Sequence, residues 1–261
     1  MQNALDVGDQ ARAELADLID RQMRPLGEAV LNKLPLSEGQ TVMDVGCGAG
    51  EATMQIADRV GPSGRVIGVD MAPRVLALAR RRSEGAPHVT FLQDDAGNMS
   101  LPNQCLDLVF SRFGTMFFAE PVAAFRNLHR MLKSGGKMGF VCWRSVEENE
   151  LDSFCIEAAG LPITIDASPY SFEKADAIEQ VLAASGFKNI VIEAYDAPIT
   201  AGDTAATLKV VTRVGALGKA LRENPDLLPE AEPIVCSALA ARERDGMVHL
   251  GSATWIVTAS T

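Results

Sequence analysis

Histidine and tyrosine are scarce in this chain of 261 residues: three histidines, at positions 88, 129 and 249, and two tyrosines, Tyr170 and Tyr195. None of them forms an obvious catalytic dyad in the sequence. No H-x-x-x-H or carboxylate cluster has the spacing of metal ligands, which argues against a metal-assisted mechanism. The five cysteines (47, 105, 142, 155 and 236) contain no C-x-x-C pair, are odd in number and mostly sit in apolar runs. They read as reduced, buried thiols of a cytoplasmic protein rather than a disulfide framework. Positive charge is in deficit, with 24 Lys and Arg against 34 Asp and Glu, a net charge of −10. Binding to nucleic acid or to an anionic membrane rests on many Lys and Arg contacts to phosphate, so both are disfavoured. No apolar run approaches the roughly 20 residues that span a bilayer. The first nine residues are polar and acidic, unlike a signal peptide. There is no internal repeat and no low-complexity segment.

What the chain does have is apolar mass, 47% of its residues, in an ordered alternation. Residues 10–34 carry apolar side chains at helical spacing, which Pro25 is expected to divide or kink. Strands are predicted at 41–46, 65–70, 89–94, 106–112 and 137–143. Helices are predicted at 51–60, 73–83 and 120–133, with Pro73 and Pro121 in first turns that tolerate proline. This alternation implies a parallel sheet with helices on both faces. Beyond Trp143 come a polar loop, a short helix near 152–159, a proline-containing link, a helix at 174–184 and a strand at 189–197. Two or three helices follow within 203–245, broken by Pro225, Pro229 and Pro233, and a last strand spans 249–258.

The most informative stretch is Val42-Met43-Asp44-Val45-Gly46-Cys47-Gly48-Ala49-Gly50-Glu51, a strand entering a glycine-rich turn and then a helix. Twenty residues on, Val66-Ile67-Gly68-Val69 ends on Asp70. A strand, glycine loop, helix, strand and acid in this order hold an adenine nucleoside: glycines admit the backbone to the ligand and the acid accepts the ribose hydroxyls. The spacing is not that of a dinucleotide site, because Glu51 stands where the third glycine of G-x-G-x-x-G belongs. Its charge in the first helical turn opposes a pyrophosphate and suits a phosphate-free ligand with a cationic centre.

This stretch resembles the first motif of the class I S-adenosylmethionine-dependent methyltransferases, and further motifs extend the likeness over 41–143 and, less fully, over 170–197. In particular the chain resembles the small-molecule methyltransferases of ubiquinone and menaquinone biosynthesis. Gly68 to Pro73 is similar to the second motif, in which Asp70 would bind the ribose and Met71 flank adenine. Phe91-Leu92-Gln93-Asp94-Asp95-Ala96 is similar to the third; it implies Asp95 and the Ala96 backbone at the adenine edge, with Asp94 open as the alternative acid. Leu106 to Ser111 is similar to the fourth strand, with Ser111 near the methionine moiety, and Arg130 to Gly136 to the link into strand five. Asp44 either caps the loop or lies near the cofactor's cationic end. For Gly46, Cys47 and Gly48 the contact would come from the backbone, not the Cys47 thiol.

The resemblance implies a doubly wound, seven-stranded, mostly parallel sheet of the Rossmann-like methyltransferase type, its seventh strand antiparallel. The expected organisation is a single domain over 1–261, with an N-terminal helical cover (1–40), a cofactor-binding core (41–143) and a helical insertion before the last strand (203–245) that caps the substrate. Arg112, Phe113, Phe117 and Trp143 follow strands four and five; they read either as core or as an apolar acceptor wall with Arg112 facing a polar group. The expected reaction is methyl transfer from S-adenosylmethionine, leaving S-adenosylhomocysteine, to a small, largely apolar acceptor, with no metal and no catalytic residue assigned. A homo-oligomer is compatible with the sequence. Two alternatives stay open: a methyltransferase-like protein that uses its cofactor for cyclisation or a non-transfer role, and a protein or RNA methyltransferase.

Overall fold

Among the described residues eight strands are found: β1 (Thr41–Val45), β2 (Arg65–Asp70), β3 (Val89–Gln93), β4 (Leu106–Arg112), β5 (Leu132–Trp143), β6 (Lys188–Gly202), β7 (Glu243–Arg244) and β8 (Met247–Ser260). In this computed structural model they form one sheet in the order β3-β2-β1-β4-β5-β8-β6, with β7 paired to β8. The structure describes residues 2–161 and 166–261, with side chains from residue 8 onward. Part of the proline-containing link, residues 162–165, and Met1 of the expected N-terminal cover lie outside the described residues. Strands β1 to β5 pair in parallel, and β8 runs antiparallel to β5. This is the mostly parallel, Rossmann-like sheet expected, with one strand more. The extra strand, β7, is the first arm of a hairpin whose turn is Asp245-Gly246, both at positive φ (52° and 75°). Asp-Gly is a strong type I′ signal; the expected helical block ran over it to residue 245.

The helices are α1 (Gln2–Glu14), α2 (Ala16–Leu31), α3 (Glu51–Val60), α4 (Pro73–Arg82), α5 (Pro121–Met131), α6 (Ser153–Ala159), α7 (Ala175–Ala184), α8 (Thr204–Val211), α9 (Gly215–Glu223) and α10 (Leu228–Arg242). Of the two expectations for Pro25, a division or a kink, the division is not found. Pro25 lies inside α2, and the break falls at Leu15. Pro233 is likewise inside α10. Proline removes one backbone donor, and these two helices absorb that loss without ending.

The chain divides into two compact units, one of Leu26–Trp143, Ser168–Tyr195 and Thr254–Thr261, the other of Met1–Pro25, Arg144–Ala167 and Asp196–Ala253. In the first, Phe125 is fully buried on α5, and its ring meets Phe118, Phe140, Phe172 and Phe187 at centroid distances of 5.5, 5.7, 6.0 and 6.4 Å. Each such pair adds about 0.5–1.5 kcal/mol beyond the area it buries. On α3, Ala52, Thr53, Ile56, Ala57 and Val60 are buried, the i, i+4 spacing of an amphipathic helix. In the second unit, Asp203 caps α8 by accepting the Ala206 N–H at 2.8 Å. Asp152 accepts the Ala216 N–H in the first turn of α9 at 2.9 Å, and Asn149 exchanges two hydrogen bonds with the Ala253 backbone.

Candidate active site

The loop between β1 and α3 turns back over the end of β2. Gly46 and Cys47 both donate their N–H to the Val69 carbonyl, at 2.8 and 3.1 Å, and Gly50 donates to Cys47 at 2.9 Å. Gly46, Gly48 and Gly50 all have positive φ (72°, 53° and 82°), but neighbours constrain them differently. A Cβ on Gly46 would sit 2.7 Å from Gly114 Cα, and one on Gly50 would sit 2.9 Å from the Phe91 ring, whereas Gly48 has nothing within 4 Å. Gly48 is therefore the point where the loop is open to a ligand. The amides of Gly46, Cys47, Gly48 and Gly50 are all spent on protein acceptors, so they do not form the free nest of donors that holds a phosphate.

Asp70 ends β2 with both carboxylate oxygens fixed. Oδ2 accepts the Gly48 N–H and Oδ1 the Ala72 N–H, each at 2.9 Å. A carboxylate has about four lone-pair sites, so the oxygens keep capacity for two further donors. Met71, next in sequence, is 68% exposed, an apolar surface beside a polar anchor. After β3, Asp95 accepts from the Gly97 N–H (2.8 Å) and the Asn98 side chain (2.6 Å), which fixes its own turn. Asp94 is exposed and accepts the Asp95 N–H at 2.8 Å. Ala96 is buried.

Asp44 is buried beneath the loop and accepts the Thr53 hydroxyl at 2.6 Å. Burial pushes its carboxyl up to about 6, and the Thr53 bond and the Arg112 charge only partly offset this. Glu51 stands in the first turn of α3, as expected, and its charge is paired there. Arg112 Nη1 meets its Oε2 at 2.8 Å, and Gln55 donates to its Oε1 at 2.6 Å. The opposition to pyrophosphate therefore comes from the occupied loop amides more than from Glu51. Arg112, read either as core or as facing an acceptor's polar group, is engaged with Glu51, and its side chain is only 12% exposed.

Ser111 is likewise committed to the fold. Its hydroxyl donates to the Val45 carbonyl at 2.8 Å and accepts the Gly114 N–H at 3.1 Å, and the residue is buried. It latches the loop after β4 to the loop after β1 rather than presenting its hydroxyl to a ligand. Phe113 stacks on Trp143, centroids 4.0 Å apart and planes at 17°. Trp143 is buried and Phe113 half-buried, so Phe113 is the ring of the pair left to meet a ligand. The Phe117–Phe118 pair splits: Phe118 packs edge-on against Phe125, while Phe117 is 58% exposed. Sequence reasoning passed over Thr115, which is buried in the same loop; a lone threonine carries no sequence signal.

The histidines stay outside this site. His129 packs edge-on against Phe187, with centroids 5.1 Å apart, rather than lying on a solvated face. His88 Nε2 approaches the Ala57 carbonyl at 3.4 Å, and His249 is exposed. All five cysteines are free; burial raises the thiols of Cys47 and Cys142, and pushes Cys155 up to about 12. Among the described residues no group of three His, Cys, Asp or Glu is placed to hold a metal ion, and no helix is long and apolar enough to cross a membrane. Taken together, the open glycine, the fixed acid and the buried carboxyl fit a ribose-bearing, phosphate-free ligand with a cationic end.

Comparison with known proteins agrees with this chemistry. Residues 42–136 match a family described as a methyltransferase domain. The 2-phytyl-1,4-naphtoquinone methyltransferase of Thermosynechococcus vestitus is 33% identical over 121 residues, 46% of this chain and 54% of that protein. The demethylmenaquinone methyltransferase of Lactobacillus johnsonii is 28% identical over 177 residues, 61% of this chain and 72% of that protein. The match thus spans about half the length of the first of these relatives. Among solved structures, phosphoethanolamine N-methyltransferase 2 of Haemonchus contortus, in complex with S-adenosyl-L-methionine, is similar at a TM-score of 0.58. That match has 18% identity and covers 91% of this chain and 52% of that one; it is a likeness of fold.

Proposed function

We infer that this chain, which carries a class I S-adenosylmethionine-dependent methyltransferase domain over residues 42–136, transfers a methyl group to a small, largely apolar organic acceptor. Its cofactor is S-adenosylmethionine, which when bound supplies a sulfonium methyl open to in-line displacement. The residues do the holding. Asp70 accepts the ribose hydroxyls on its remaining lone pairs, and Met71 covers one face of the adenine. Asp44, once ionised, supplies charge for the cofactor's cationic end. Gly46, Cys47 and Gly48 line the approach with backbone, Asp94 or Asp95 with Ala96 meets the adenine edge, and Phe113 offers an apolar face to the acceptor. Because the leaving group is already good, positioning and exclusion of water carry much of the rate, and a base is needed only for an acceptor that must lose a proton. The names of the relatives favour a naphthoquinol-like ring as the acceptor class.

The observation that carries this reading is Asp70 bridging the Gly48 and Ala72 amides beside the open face of Gly48. Calorimetry tests it: Asp70→Ala should weaken S-adenosylmethionine binding about tenfold or more, since each bond to a charged group is worth about 1.5–3 kcal/mol. Unchanged affinity in a folded variant removes Asp70 from the site. Mass spectrometry of the protein incubated with S-adenosylmethionine and cell extract tests the transfer. It should find a product heavier by about 14 mass units, one methylene, and S-adenosylhomocysteine; cofactor bound but never consumed would favour the non-transfer alternative. The readings of 1–40 as a cofactor cover and of 203–245 as an acceptor cap are kept as proposals on their sequence position alone. They require that replacing 203–245 by a short linker in a folded variant spare cofactor binding and abolish acceptor methylation.

A further inference from the structure

Five buried side-chain polar atoms lack a hydrogen-bond partner among the described residues: both amide atoms of Gln22, His88 Nδ1, Thr115 Oγ1 and Arg242 Nη1. Thr115 stands in the loop that follows β4, two residues beyond Phe113 and one beyond Gly114, whose Cα lies against the glycine loop. It is 1% exposed. An unpaired hydroxyl in such a place is a cost to the fold that a valine of the same shape would avoid.

The turn that carries it is closed by long backbone bonds. Thr115–Phe117 is one 3-10 turn. Its closing bonds, Phe117 N–H to Gly114 and Phe118 N–H to Thr115, measure 3.4 and 3.5 Å, the outer limit for such bonds. Phe113, just ahead of the turn, sits at φ 61° without being glycine, a strained conformation. At the turn's far end Phe117 exposes most of its ring. The turn's middle is tied by the Ser171 hydroxyl to the Met116 carbonyl at 2.7 Å, and the Gly114 N–H just ahead of it is held by Ser111. The unpaired hydroxyl thus sits on the short turn that links the stacked Phe113 to the exposed Phe117.

We propose that the Thr115 hydroxyl is the polar contact for the methyl acceptor, donating its O–H to a carbonyl or hydroxyl oxygen carried on an otherwise apolar body. Phe113 and Phe117 flank that body, and the hydrogen bond offsets the cost of moving the turn. This rests on the methyl-transfer reading above. It assigns the loop after β4 to the acceptor, whereas Asp70 and Met71, at the end of β2, serve the nucleoside.

The test compares wild type, Thr115→Val and Thr115→Ser in three measurements: thermal melting, calorimetry with S-adenosylmethionine, and transfer of label from methyl-labelled S-adenosylmethionine to serial dilutions of the small-molecule fraction of a cell extract. Thr115→Val should melt no lower than wild type, because its hydroxyl has no protein partner to lose. It should bind S-adenosylmethionine within about twofold of wild type. Its transfer should fall about tenfold in dilute extract, as for one lost hydrogen bond, and recover in concentrated extract. Thr115→Ser should restore transfer to within about twofold. A clear drop in the melting temperature of Thr115→Val would mean that the hydroxyl has a structural partner and overturns the proposal. Loss of cofactor binding overturns it too, by assigning Thr115 to the cofactor, and so does transfer equal to wild type at every dilution. No label transfer by wild type would instead sink the methyl-transfer reading and this inference with it.

Discussion

Glu51, the first residue of α3, and Arg112, the last residue of β4, form an ion pair at 2.8 Å, with their side chains 9% and 12% exposed. A pair this covered has little screening by water. Removing one partner leaves the other's charge under-compensated, which is worth about 3–5 kcal/mol. Glu51→Gln should therefore lower the urea midpoint by an amount equivalent to about 3 kcal/mol or more. The double variant Glu51→Gln with Arg112→Leu should cost less than the two single changes added together. Additive effects in a double-mutant cycle would show that the pair is not coupled.

Asp44 should make stability and affinity respond to pH in opposite directions. Its folded pKa is raised from 3.8 to about 6 by burial, so between these values the folded chain binds more protons than the unfolded one. Asp44 thus makes the protein lose stability as pH rises from about 4 to about 6; the loss, about 3 kcal/mol, is complete above that window. Asp44→Asn keeps an acceptor for Thr53 and should be the more stable protein near neutral pH, with the difference vanishing at about pH 4. Affinity for the cationic cofactor should instead fall as pH drops below about 6, by at most about tenfold per pH unit, because the ligand must displace the proton. Urea titrations and calorimetry across that range check both signs, and a flat affinity profile would detach Asp44 from the cofactor.

The three loop glycines should separate by experiment. Gly46→Ala drives a Cβ to 2.7 Å from the backbone of Gly114 and should destabilise the fold by about 2 kcal/mol or more. Gly48→Ala meets no atom and should cost only the left-handed φ, about 1–2 kcal/mol, yet weaken S-adenosylmethionine binding by filling the open face. Thermal melts beside binding isotherms distinguish them; wild-type affinity in Gly48→Ala would mean that the loop is only a tight turn.

Gln22 is 1% exposed, with neither amide atom hydrogen-bonded. Replacing a buried unsatisfied group by an apolar one of similar shape is stabilising. Gln22→Met should gain about 1–2 kcal/mol, a rise of a few degrees in melting temperature for a protein of this size. A lower melting temperature would reveal that the amide is satisfied, for instance by an internal water.

Periodicity and turn chemistry were enough to read the parallel strands from the sequence; the antiparallel last strand came from the family resemblance, and β7 was not foreseen. The strands at 65–70 and 106–112 and the helix at 51–60 stand where apolar spacing, glycine and proline put them, because each is a local pattern set by backbone sterics. The place of Asp70 at the end of β2 was legible for the same reason: an acid at a strand end after a glycine loop is a short-range arrangement. The partners of charged and polar side chains were not legible, because they come from strands distant in sequence. Arg112 and Glu51 are 61 residues apart, and Ser111 finds the Val45 carbonyl 66 residues away. Only the packing of β4 beside β1 decided that Arg112 would neutralise Glu51 and that Ser111 would latch a loop. The same packing left the Thr115 hydroxyl buried with nothing to bond.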